Sequence, residues 1–75
     1  MIDRHQLRQA LATNIVRLRK DRGLSQEQFA DTANISRVTM NRIEKARSTP
    51  STPLLFKIAD LLGVDIDELR KTSAT

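Results

Sequence analysis

The stretch ISRVTMNRIEK, residues 35–45, gathers two arginines, an asparagine, a threonine and a valine on one short helical pattern. Arg37 and Arg42 each offer a planar fork of N–H donors, and Asn41 offers an amide that both donates and accepts. Val38 adds a compact apolar tip. The set is not apolar enough to be a core face, nor charged enough throughout to be an idle solvent face. Catalytic chemistry has no such foothold. His5 is the only histidine and there are no cysteines. No glycine-rich phosphate loop, metal-ligand spacing or nucleophile with a base is present, and the hydroxyls sit where helices need caps. The residues therefore point to recognition rather than catalysis, with no enzyme activity, cofactor, metal or small-molecule ligand expected.

Positioning such a set requires helices. Asp3 with Gln6 forms a capping-box signature, followed by Leu7, Leu11, Ile15 and Leu18 at spacings of four, four and three. Gly23 ends this first helix. Ser25 with Gln28 opens a second, in which Phe29, Ala30 and Ala33 point inward, and Asn34 ends it because asparagine tolerates the left-handed conformation. Ile35 plugs the corner, and Ser36 caps a third helix expected through about Ala46, with Met40 and Ile43 facing the core. The run STPSTP, residues 48–53, is a turn. Ser51 or Thr52 caps a fourth helix near 53–62, ended by Gly63. Asp65 with Glu68 is expected to box-cap a short fifth helix, and the tail over 71–75 is expected to fray. No segment alternates as a strand, so the expected class is all-α with five helices.

The chain has 75 residues, enough for one small domain, and no disulfide or zinc can staple it. No apolar run approaches the roughly 18 residues needed to cross a bilayer, and the polar start lacks a secretory signal. A soluble, cytoplasmic chain is expected. The net charge of +4 is uneven: residues 1–50 hold ten basic and five acidic side chains, residues 51–75 three and four. One surface is thus suited to a polyanion and another to something else.

Two helices separated by a three- to four-residue turn cross steeply, so the second can protrude and enter a DNA major groove. Arg37, Val38, Thr39, Asn41 and Arg42 occupy the N-terminal end and outer face of that helix, where base edges are read. Arginine can grip guanine O6 and N7 together, and valine can meet the thymine methyl group.

Beyond this chemistry, LSQEQFADTANISRVTMNRIEKARSTPS and LLFKIADLLGV resemble the Cro/repressor-type, or XRE-like, helix-turn-helix family. This family includes phage repressors and restriction–modification controller proteins. The resemblance spans about residues 12–69 and implies a compact five-helix, lambda-repressor-like domain with its helix-turn-helix at 25–46. It also implies that Arg37, Val38 and Arg42 read bases while Gln26 and Lys45 hold phosphates, and that Arg19 pairs with Glu44 to tie the first helix to the third. Ser36 at the cap and Arg47 in the following loop are placed beside the phosphate set, although Arg47 and Thr49 can equally be plain exposed loop residues. Arg17, Lys20 and Arg22 read as a general electrostatic skirt. Asn34 departs from the family glycine at the turn.

The implied function is sequence-specific binding of a double-stranded operator, as an inverted repeat, by a homodimer that regulates transcription. The alternative is an antitoxin-like module whose main partner is a protein. Residues 54–70 carry more apolar side chains than one face of so small a body can bury, so Leu55, Val64, Ile66 and Leu69 are the expected dimer interface. An activator would also meet RNA polymerase, for which Glu27 and Asp31 are available. Controller protein, phage-type repressor and fragment of a longer repressor all remain compatible with the residues.

Overall fold

All five helices start at a short polar residue whose side chain accepts a backbone N–H. The structure, a computed structural model, describes residues 3–72. Its helices are α1 (Arg4–Asp21), α2 (Gln26–Ala33), α3 (Arg37–Glu44), α4 (Thr52–Leu62) and α5 (Ile66–Arg70). Asp3, Ser25, Ser36, Ser51 and Asp65 are their N-caps. The capping boxes of α1 and α2 are complete, with Gln6 and Gln28 each accepting from the backbone N–H of its own cap residue, at 2.9 and 2.8 Å. At α4 the cap is Ser51, and Pro53 stands in the first turn, where its missing N–H costs nothing.

Four of the helices end in the same way. Gly23, Asn34, Ala46 and Gly63 adopt φ of 70°, 59°, 60° and 70°. The next residue then donates its N–H five positions back: Leu24 to Arg19, Ile35 to Ala30, Arg47 to Arg42 and Val64 to Ala59, at 2.9–3.2 Å. This closure satisfies carbonyls left open at a helix end and turns the chain sharply. Leu24, Ile35 and Val64 then fold onto the core, as the apolar residue after such a turn usually does. Arg47 instead stays exposed.

Two expectations about helix ends need correction. The third helix stops at Glu44 rather than near Ala46. Alanine carries no sequence mark of a left-handed turn, because its Cβ disfavours that conformation by about 1–2 kcal/mol. The capping box of α5 is incomplete: Asp65 accepts weakly from the Asp67 N–H at 3.5 Å, while the Glu68 carboxylate accepts from Lys71 at 2.8 Å. That pairing with Glu68 raises the pKa of the exposed Lys71. Of the expected frayed tail, residues 73–75 lie outside those described.

The core is drawn from every helix. Leu11, Ile15 and Leu18 of α1 meet Phe29 and Ala30 of α2 and Met40 and Ile43 of α3. Ile58, Ala59 and Leu62 of α4 and Leu69 of α5 complete it. Helix α1 packs against α3 and α5, α2 against α3 and α4, and α4 against α5. Leu69 is 0% exposed, so it cannot belong to a free interface as expected. A five-residue helix has no stability of its own and forms only by burying such an anchor.

Asn14 locks the chain's two ends together. It is buried on α1, and its amide donates to the Leu69 and Lys71 carbonyls at 2.8 Å each. These are the carbonyls that a short helix cannot satisfy internally. Asn14→Ala removes both donors and leaves the buried Leu69 carbonyl unpaired. It is expected to cost about 2–3 kcal/mol in urea denaturation, and to release α5 amides to hydrogen exchange before those of α1.

Candidate nucleic-acid interface

Helix α3 is two-faced. Met40 and Ile43 are 0% and 1% exposed, whereas Val38, between them and the N-cap, is 68% exposed. Arg37, Arg42 and Lys45 are exposed on the same outward side, Asn41 and Thr39 are half-buried, and Arg47 is exposed in the loop that follows. The outward residues thus form one cationic strip with an apolar tip near its start.

The polar residues around the strip are not all equally available. Ser36 Oγ accepts from the Thr39 N–H at 3.0 Å and donates to Thr39 Oγ1 at 2.9 Å, so both residues are first committed to starting the helix. Gln26, at the first position of α2, donates from Nε2 to Glu44 Oε1 at 3.1 Å. Arg37 Nη1 lies 4.0 Å from Glu27 Oε2. The carboxylate of Glu27, unassigned to the reading surface from sequence, therefore stands beside one of its arginines. Its place in the chain gave no hint of this, since the approach depends on the left-handed turn at Asn34.

Arg19 and Glu44, 25 positions apart, meet in a nearly dry site. Arg19 Nε donates to Glu44 Oε2 at 2.7 Å and Nη2 to Oε1 at 2.9 Å, while Nη1 donates to the Leu24 carbonyl at 2.7 Å. The two side chains are 9% and 5% exposed. One guanidinium thus joins α1, the turn after it and the end of α3, and Gln26 adds the start of α2. At the opposite, negative end of α2, Lys57 of α4 donates to the Ala33 carbonyl at 3.1 Å. Asn14 and Lys57 both fill carbonyls at helix ends, a role no sequence spacing signals.

Removing one partner of this pair strands the other's charge away from water. Arg19→Met and Glu44→Gln are each expected to cost about 3–5 kcal/mol, measured by chemical denaturation. The double variant should cost clearly less than the two summed; strict additivity would show that the pair carries no coupling.

Comparison with known proteins places this geometry. The Helix-turn-helix family model (HTH_3) matches residues 15–69, which contain the whole of α2 to α4. An uncharacterized HTH-type transcriptional regulator, y4dJ, of Sinorhizobium fredii is 32% identical over 63 residues, covering 84% of this chain and 82% of that protein. The immunity repressor protein of Bacillus phage phi105 is 38% identical over 52 residues, which are 69% of this chain and 36% of the repressor. Among solved structures, a hypothetical transcription factor, NHTF, from Neisseria superimposes with a TM-score of 0.86 at 30% identity, covering 95% of this chain and 80% of that one. The family matched is one of DNA-binding transcription regulators, not of enzymes. By the family match, the relatives and the five-helix fold alike, this chain belongs to the XRE-type helix-turn-helix family of transcriptional regulators.

Proposed function

We propose that this chain binds an inverted-repeat operator as a homodimer, laying α3 in the major groove of each half-site. The observation that carries the reading is the two-faced α3: a fully buried apolar side and an outer strip with Val38 standing in water. An exposed valine between arginines has a natural partner in a thymine methyl group beside guanines. Arg37, Val38 and Arg42 read bases, with Asn41 and Thr39 at the margin of the same face. Gln26, Lys45, Arg47 and the Ser36 end of the helix face the phosphates. The likeness to a phage immunity repressor favours a phage-type repressor over a restriction–modification controller. An activating role would bring polymerase against α2 at Asp31, which is exposed there. With no described helix long and apolar enough to cross a membrane, the reading places the protein with its DNA in the cytoplasm.

The spacing of the groove supports the dimer. Successive major-groove faces lie about 34 Å apart, whereas the protomer measures 33 × 21 × 19 Å and presents one reading helix. Two copies joined through the near-neutral end supply the second. Leu55, Val64 and Ile66 are half-buried there, and Phe56, 54% exposed on α4, adds apolar area. Covering that surplus with the same surface of a second copy gives a closed two-fold assembly.

Two experiments test the reading. With about three to four phosphates neutralised per protomer, operator affinity should fall with salt at a log–log slope of roughly −5 to −7. Arg42→Ala should cost about 1–3 kcal/mol per half-site and relax one or two base pairs, whereas Lys45→Ala should weaken all sequences alike and flatten the slope. An Arg42→Ala protein that is folded and binds as well as the parent would sink the assignment.

Sedimentation at tens of micromolar tests the dimer. The parent should sediment as two protomers and Ile66→Asp as one, with operator affinity falling in parallel. A parent that stays monomeric, with Ile66→Asp binding unchanged, rules the interface out.

A further inference from the structure

Two consecutive residues in the N-terminal turn of α2 face α3. Gln26 donates to Glu44 at the end of α3, and the Glu27 carboxylate lies 4.0 Å from the Arg37 guanidinium at its start. The first contact belongs to the buried network. The second is out in water, where both side chains are more than two-thirds exposed, so it adds little to stability. Its position is nevertheless unusual. Arg37 is the first residue of α3, at the positive end of the helix dipole, and the first turn of α3 has no acidic residue to offset it. Glu27, the second residue of α2, supplies the missing negative charge from the neighbouring helix.

The geometry points to Glu27 as a positioning residue that determines base specificity at Arg37, an inference that rests on α3 being the groove-facing helix. A guanidinium on a long flexible stem can reach a phosphate as readily as a base edge, and a phosphate contact carries no sequence information. Glu27 draws Nη1 to one side. Nε and Nη2 are then left as a pair of parallel donors, which match guanine O6 and N7. The carboxylate also opposes collapse of the arginine onto the backbone, because it repels the phosphates themselves. Glu27 thereby reduces affinity for any duplex and raises discrimination at one base pair.

Those two effects have opposite signs, which separates positioning from a merely structural role. The operator is first selected from a random duplex library with the parent protein. Parent, Glu27→Gln, Asp31→Asn, Arg37→Ala, Arg42→Ala and the Glu27→Gln/Arg37→Ala double variant are then titrated, at one salt concentration, against the operator, its single-base-pair variants and a random duplex. Glu27→Gln should bind the random duplex more tightly. It should narrow the preference at the base pair read by Arg37 by about threefold to tenfold, part of what a bidentate arginine supplies. Preferences at pairs read by Arg42 should stay as they are. Asp31→Asn removes the same charge one turn along α2 and should leave every preference intact, and in the Arg37→Ala background Glu27→Gln should change none. Full preference retained by Glu27→Gln, at a pair where Arg37→Ala abolishes it, overturns the inference while the groove reading stands. Unchanged preferences in Arg37→Ala remove Arg37 from the base-reading set and overturn this inference, while Arg42→Ala in the same titration decides the groove reading separately.

Discussion

One buried carboxylate organises the helix-turn-helix end of the molecule. Glu44 takes both parallel donors of Arg19 and a third from Gln26, so α1, α2 and α3 share a single acceptor group. Withdrawing two charges from water is expensive, and such pairs rarely add net stability over a well-packed apolar alternative. What this pair supplies is direction. A bidentate contact fixes both distance and plane, whereas apolar side chains such as Met40 and Ile43 would tolerate small rotations of α3. An eight-residue helix cannot choose its own orientation, so the placement of every outward side chain depends on that contact.

The remaining architecture economises on length. Four helices close with one left-handed residue and a hydrogen bond spanning five positions, a device that reverses the chain without a long loop. Three of the closures also drop an apolar residue onto the core. The fourth, at Ala46, does not; it releases Arg47 to the surface beside Lys45. The same turn chemistry thus builds the interior at three corners and extends the cationic strip at the other. Glycine at position 46 would relieve the Cβ strain, so the alanine represents a local conflict with the backbone it occupies.

Local conflicts in a small protein gather where function is. Arg37 stands at the wrong end of a helix dipole, and Val38 stands in water among charges. Neither choice helps the isolated fold. Both fit the proposed role of this surface in reading a duplex groove. Phe56, exposed on α4, is a third such case, and the proposed second copy would cover it.

The order and type of the helices were legible residue by residue, because caps, apolar spacing and left-handed residues act over a few positions. Asp3, Ser25 and Ser36 announced their helices, and Gly23, Asn34 and Gly63 their ends. Ala46 hid an ending, since the backbone there is held by its surroundings and not by its own preference. Tertiary structure alone decided which outward residues are free. It buried Leu69, which carries the same apolar signal as its half-exposed neighbour Ile66, because α5 has only one side turned to α1. It also engaged Gln26 with Glu44, brought Glu27 to Arg37, and used Asn14 and Lys57 to fill distant carbonyls. Those contacts join residues 10 to 57 positions apart. Pairings at such range depend on how whole helices cross, and no local pattern of residue types encodes that.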